Sequence, residues 1–358
     1  MIESDGIAVF GIAKARLRPI VESAVGEPIG PFEITVEHRI EGYQGRAAEK
    51  LIPTFSYVTP DGRRGRITIF VKHLNGNWVE HEQYRFLSVY DLPIPRLYGD
   101  LRSLQGRPVL FLEFVDGSPT ARAIDSSEQL IEFLSLRARL NAVRPTPEYA
   151  AWLEREKSWL WREECVGRGE LVEAVWEDAR RGNLGEELQQ YCSENSARLP
   201  RLCHRAEQVA AQAADMDLGL VHGDFRLDNT GRRRSGERVL LDLEDVSLRA
   251  RFFDIVHLIG PPEDCWPPAD DFPFPAPCPP PQALAKHYLR EYARRGGPVL
   301  PLDQFLAEVR LLWLHWRIGL LALCQALGHA DSGRPEDYRD EARLVLLRDL
   351  RMLLDRYC

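Results

Sequence analysis

Residues 222–229 read His-Gly-Asp-Phe-Arg-Leu-Asp-Asn, and thirteen residues after Asn229 stands a second acidic segment, Asp242-Leu243-Glu244. Asp224 and Asn229 mark the two ends of a short loop, so one rigid turn can aim a carboxylate and an amide into a single cleft. The run from Arg238 to Leu243 is apolar and strand-like, which brings Asp242 out at a strand end beside that loop. Arg232, Arg233 and Arg234, with Ser235 and Gly236, read as the solvated turn between two strands. Lone Asp and Asn residues usually do no more than cap turns. Four fixed residues at fixed offsets, however, arise by accident at about one position in 10⁵ at average residue frequencies. The second acidic segment lowers that further, and the constellation is read as a site.

Phosphoryl transfer is a chemistry that asks for such spacing, because it needs positioning and charge neutralisation more than covalent help. Carboxylate and amide oxygens suit hard Mg²⁺. At these residues the chain resembles the aminoglycoside phosphotransferase and choline kinase family, whose motif is His-Gly-Asp, four residues, Asn, and then Asp-x-Glu or Asp-x-Asp. The resemblance runs from Leu220 to Ile259 and, more loosely, from about Ile34 to Gly117. It implies an α+β, two-lobed protein-kinase-like fold, with an N-terminal antiparallel sheet lobe and a mainly helical C-terminal lobe, using ATP or GTP with Mg²⁺.

By the same resemblance Asp224 orients or deprotonates an acceptor hydroxyl, and Asn229 and Asp242 hold the metal. Glu244 is either an auxiliary metal ligand or lies behind one, and His222 braces the loop through hydrogen bonds. In LDLEDVSLRARFFDIVHL, Asp254 occupies the place of the family's loop-bracing Asp. Arg226 is left between a phosphate or substrate contact and a structural ion pair. The family's preceding helix often ends in Leu-His, whereas here Leu140-Asn141 stands, so the histidine support is missing.

Ahead of the loop, apolar residues alternate as in an antiparallel sheet. Ile34, Val36 and Ile40 share one face, Thr54 to Thr59 forms a short strand, and Pro60-Asp61-Gly62 turns the chain toward Ile67, Ile69 and Val71. Thr68, Phe70 and Lys72 project to the other face. Lys72 is the expected phosphate-binding lysine, and Phe70 either stacks on the base or packs in the core. Glu80 is the expected partner of Lys72, with Glu82 the alternative. The strand PVLFLEFVDG breaks at Gly117, the expected hinge, and backbone groups from Glu113 to Val115 are candidates to bind the base. Gly42 and Gly45, in the turn Gly42–Arg46, are the candidate flap over the phosphates.

The sequence divides at residues 1–116, a sheet lobe with a helical preface from Val9 to Val25, and 117–358, a helical lobe with an inserted helical stretch at about 148–217. Ser126 with Gln129 resembles a capping box at the start of a helix carrying Leu130, Phe133, Leu134 and Leu140. Residues 261–281 are too rich in proline for helix or central strand. Their Asp264, Trp266, Asp270 and Asp271 either engage a cationic or ring-bearing substrate or form a surface cover. Phe305, Val309, Leu312, Trp316, Leu320 and Leu323 form a stripe expected in the core.

A net charge of −8 over 358 residues speaks against a general nucleic-acid binder and suits cationic or neutral ligands. Seven cysteines without a Cys-x-x-Cys pair indicate neither a disulfide framework nor a zinc site, and no segment reads as a signal peptide, so a cytoplasmic protein away from membranes is expected. The apolar run around residues 311–328 contains His315 and Arg317 and reads as a buried helix. The expected substrate is a small-molecule hydroxyl, on an aminoglycoside or other antibiotic or on a metabolite such as choline or homoserine. The rivals are a nucleotide-binding pseudokinase or interaction module and, lacking an Ala-Pro-Glu segment, protein phosphorylation.

Overall fold

The computed structural model describes residues 9–40, 47–74, 80–115, 126–156, 161–256, 280–329 and 332–358. The chain divides into two compact units, one of residues 1–123 with 224–246 and the other of 124–223 with 247–358.

In the first unit helix α1 (Lys14–Val25) is followed by strands β1 (Phe32–Ile40), β2 (Ala47–Val58) and β3 (Arg64–Leu74), helix α2 (Glu80–Leu87), and strands β4 (Leu97–Arg102) and β5 (Pro108–Glu113). The strands form one antiparallel sheet in the order β1-β2-β3-β5-β4. Its period of two decides what each face does. Leu51, Phe55, Ile69, Val71, Val109 and Phe111 join Leu17, Ile20 and Val21 of α1 in one buried cluster, which leaves Phe70 and Lys72 for the opposite face. Strand β2 begins seven residues earlier than the expected Thr54, because β1 and β3 give its backbone hydrogen-bonding partners on both edges and so override the polar Glu49 and Lys50. The β2–β3 turn lies where expected: Gly62 donates its N–H to the Thr59 carbonyl at φ +87°, a conformation glycine takes without a Cβ penalty.

A short ribbon of Thr230–Arg232 with Arg238–Leu240 also belongs to this unit, so residues 224–246 pack with the sheet although they lie far beyond it in sequence. Leu240 donates to the Pro93 carbonyl at 2.8 Å. A Cβ on Gly231 would stand 2.6 Å from Val115 Cγ1, so this glycine lets the ribbon approach the end of β5.

The second unit is helical: α3 (Ser127–Asn141), α4 (Pro147–Glu156), α5 (Trp161–Glu164), α6 (Arg168–Arg180), α7 (Glu186–Glu194), α8 (Leu199–Ala214), α9 (Pro281–Arg294), α10 (Leu302–Gly328) and α11 (Glu336–Tyr357). A ribbon pairs Leu218–Val221 with Ser247–Ala250. Ser126 Oγ accepts from the Gln129 N–H at 3.2 Å and caps α3 as expected. The stretch read as an insertion is part of the unit's packing, since α6 and α8 both lie against α10.

Helix α10 also touches α9 and α11, so its buried face is wider than one stripe and rotated from the expected one. Phe305, Val309 and Leu312 are buried, but the face continues through Trp313, Arg317, Leu321 and Cys324, while Leu323 is exposed. By length and composition alone α10 is apolar enough to cross a bilayer. Its packing on four helices makes it the core helix of this unit.

Arg317 is buried on α10 with its guanidinium 4.9 Å from the Trp316 ring and 3.1 Å from Asp349 Oδ1 on α11. Removing one partner of a buried pair leaves the other charge uncompensated. Asp349→Ala is expected to lower stability by about 3–5 kcal/mol in urea unfolding, and replacing both residues by apolar ones to recover most of that loss.

Candidate active site

Lys72 is 2% exposed on β3 and has three carboxylates around its ammonium. Glu80 Oε2, from the first residue of α2, lies at 2.9 Å, Asp242 Oδ1 at 2.5 Å and Glu244 Oε2 at 3.3 Å. Glu82, the alternative partner, is turned outward, near His81. Burial pulls the Lys72 ammonium down, but the three carboxylates outweigh it and hold Lys72 well above its ordinary value. Burial pushes the Glu80 carboxyl up, with Lys72 opposing. The ammonium is thus charged and fixed, and α2, β3 and the segment after the 230–240 ribbon meet on it.

Asp242 reaches Lys72 from a backbone at φ +55°, between the end of the ribbon and a short 3₁₀ turn at Leu243–Asp245. Asp tolerates this left-handed region better than most residues, and non-glycine residues held there cluster at functional sites.

In the preceding loop Asn229 Nδ2 donates to the carbonyl and to Oδ2 of Asp224, at 2.8 and 2.9 Å. Arg226 Nε lies 3.1 Å from Asp224 Oδ1, which is the ion-pair side of the alternatives for that residue. Leu241 donates to the Asn229 carbonyl at 2.8 Å and so ties the loop to the neighbour of Asp242.

A cavity of about 250 Å³ opens beside Lys72 within the first unit. Its walls are Phe70 and Lys72 of β3, Lys50 and Ile52 of β2, the run Leu112–Val115, and Asn229, Leu241 and Asp242. The Mg²⁺ that the resemblance implies finds a fitting donor set here: Asn229 uses its amide N–H groups on Asp224, leaving Oδ1 as a hard oxygen donor, and the Asp242 carboxylate lines the same cavity.

Of the expected base-binding segment, Glu113 has its own N–H engaged with the Arg96 carbonyl at 2.8 Å, while Phe114 and Val115 continue along the cavity wall. The Glu113 carboxylate is gripped by Arg233, whose Nε and Nη2 donate to its two oxygens at 2.8 and 2.7 Å. Arg233 also donates to the Ile94 carbonyl at 2.9 Å. Arg233 is therefore not the solvated turn residue its sequence context suggests, since it joins the cavity wall to the ribbon between Asn229 and Asp242. Nothing in the run Arg232–Arg234 marks the middle arginine, because only the fold brings Glu113 to it.

In the second unit Asp254 Oδ2 and Oδ1 accept the backbone N–H groups of His222 and Gly223, at 2.6 and 3.0 Å. Buried Asn141 closes the arrangement. Its Nδ2 donates to the Leu220 carbonyl at 2.8 Å and stands 3.5 Å from Asp254 Oδ2, while Tyr288 donates its hydroxyl to Asn141 Oδ1 at 2.8 Å. At the position where the family often has histidine, this amide joins the strand before the loop to Tyr288 and stands beside Asp254. Gly42, Gly45, Gly117, Asp264, Trp266, Asp270 and Asp271 lie outside the described residues.

A family model described as a phosphotransferase enzyme family matches residues 79–298, more than half of the chain. The chain belongs to this family. The matched span begins just before Glu80 and contains the 222–229 loop, Asp242 and Asp254. As a member, the protein is a small-molecule phosphotransferase with an alcohol group as acceptor.

Among solved structures, a Plasmodium vivax ethanolamine kinase superposes with a TM-score of 0.54 at 12% identity, covering 91% of this chain and 83% of that one. An aminoglycoside phosphotransferase from Alicyclobacillus acidocaldarius gives 0.50 at 14% identity, over 89% and 93% of the two chains. A microcompartment-associated aminopropanol kinase gives 0.50 at 15%, over 94% and 96%. At these identities the likeness establishes the α+β protein-kinase-like fold. No curated protein matches.

Burial pushes the Glu113 carboxyl up, but the Arg233 hydrogen bonds outweigh it and hold it below its usual value. A carboxylate depressed in the folded state stabilises above its unfolded value of about 4.3 and loses that contribution as pH falls through the folded value. Arg233→Gln in this phosphotransferase is expected to cost about 1–3 kcal/mol at neutral pH. Urea unfolding at stepped pH should show that difference shrinking as the pH drops below about 4.

Proposed function

We propose that this phosphotransferase moves the terminal phosphoryl group of ATP or GTP to a hydroxyl of an amine-bearing small molecule. The observation that carries the reading is the Lys72 ammonium, fixed between Glu80 and Asp242 on the wall of a cavity that also holds Asn229. Phe70 and Val115 offer apolar surface for a purine, and Lys72 meets the phosphates. Asn229 and Asp242 would hold Mg²⁺, which when bound offsets phosphate charge.

Asp224 accepts the proton of the substrate hydroxyl as its oxygen bonds to the terminal phosphorus and the bond to the bridging oxygen of the departing nucleoside diphosphate breaks. Asn229 and Arg226 fix the Asp224 carboxylate for that task. His222 and Asp254 brace the loop ahead of it. Glu244, 3.3 Å from Lys72, completes the charge around the ammonium.

The solved structures named above are an aminoglycoside phosphotransferase, an ethanolamine kinase and an aminopropanol kinase, enzymes named for amines that carry hydroxyl groups. A net charge of −8 favours the approach of such cations. A nucleotide-consumption screen across aminoglycosides, ethanolamine, choline, aminopropanol and homoserine tests the class. Turnover with none of these and with a neutral alcohol instead would overturn the amine.

Asp224→Asn keeps the shape of the loop but cannot take the proton. Its kcat is expected to fall about 10²- to 10⁴-fold with nucleotide Kd unchanged, measured by steady-state kinetics and calorimetry. Asp242→Ala is expected to weaken calorimetric binding of the magnesium nucleotide, because a carboxylate ligand is lost, and unchanged affinity in a folded variant would remove Asp242 from the metal site.

A further inference from the structure

We infer that Gln83 is a positioning residue for Asp242, an assignment that rests on the proposed function, in which Asn229 and Asp242 hold Mg²⁺. Gln83 is 1% exposed on α2 and donates from Nε2 to the Val246 carbonyl at 3.0 Å. Val246 closes the 3₁₀ turn Leu243–Asp245 that Asp242 opens. Gln83 follows Glu80 by three residues and so shares its face of the helix. Helix α2 therefore grips the Asp242 turn at two points, through Lys72 at the start of the turn and through the Val246 carbonyl at its end.

Packing does not explain a glutamine at this position. Its Oε1 is buried with no hydrogen-bond partner among the described residues, so the amide pairs one buried acceptor, the Val246 carbonyl, and leaves another unpaired. An apolar side chain of similar length would also leave one buried acceptor unpaired. The stability balance is thus close to even, and what the amide adds is direction. Direction matters at Asp242, because a side chain at φ +55° stays there only where its surroundings fix it. The turn's own closing bond is long, with the Val246 N–H donating to the Leu243 carbonyl at 3.3 Å. Lys72 meets the Asp242 carboxylate as a compact charge shared with Glu80 and Glu244, which attracts without fixing an angle. Upstream, Leu241 is tied to the Asn229 carbonyl, and downstream Gln83 supplies the second anchor. Asp242 is pinned between them, with its carboxylate held to the cavity that Asn229 also lines.

Calorimetry of the full-length protein with ATP and GTP, each in magnesium and in EDTA, separates metal-dependent from metal-independent binding. Gln83→Met should weaken the preferred magnesium nucleotide about tenfold and leave its affinity in EDTA unchanged, with a melting temperature by circular dichroism close to that of the wild type. In an Asp242→Ala background the same substitution should add nothing, because no carboxylate remains to be aimed. If Gln83→Met melts early, Gln83→Leu supplies the same comparison with a shorter apolar side chain. Equal weakening with and without magnesium would make Gln83 a support of α2 alone, and no weakening would remove it from the site. A full further loss in the Asp242→Ala background would place its effect elsewhere. Each of these overturns the assignment. A wild-type protein that binds neither nucleotide, or binds them without regard to magnesium, overturns the proposed function itself and the assignment with it.

Discussion

One buried ammonium organises the first unit. Glu80, Asp242 and Glu244 place carboxylate oxygens within 4.8 Å of one another, an arrangement that mutual repulsion would drive apart if Lys72 were absent. The lysine meets all three, and they in turn hold its charge against the opposing effect of burial. Each carboxylate brings its element with it: α2 comes by Glu80, and the end of the 230–240 ribbon by Asp242 and Glu244. The same contacts that hold the unit together therefore assemble the cavity wall. Asn229 is placed by this order as well, because Leu241, the neighbour of Asp242, donates to its carbonyl.

The second unit holds its buried carboxylate with backbone and amide donors and with the charge of buried Arg137 nearby. Asp254 is buried, and it is satisfied by the N–H groups of His222 and Gly223, with Asn141 between it, Leu220 and Tyr288. A carboxylate so enclosed is costly unless its oxygens are bonded, and the satisfied network fixes one backbone path into the loop. Gly223 takes φ +82° on that path, a conformation a side chain would strain.

What could be read from the sequence was local and periodic. The spacing of Asp224, Asn229 and Asp242, the face shared by Phe70 and Lys72 and the cap at Ser126 follow from offsets along a single segment, while the choice of Glu80 came from the family resemblance. What escaped depends on long-range encounters. Arg233 is indistinguishable from its two neighbours until Glu113, 120 residues away, comes beside it. Asn141 read as a missing histidine because its partners at Leu220, Asp254 and Tyr288 lie in other segments. The buried face of α10 was misplaced because several helices grip it, which no single-helix period reveals.

Lys72 is the charge that assembles the cavity wall and, in the proposed function, meets the nucleotide. The direct measurement is the melting temperature of the wild type and of Lys72→Met across a concentration series of magnesium ATP and magnesium GTP. A ligand that binds only the folded state raises the melting temperature as its concentration grows. Under the proposed function the wild type shows that rise with at least one nucleotide, whereas the variant melts lower and responds to neither. Equal rises in the two proteins would contradict it.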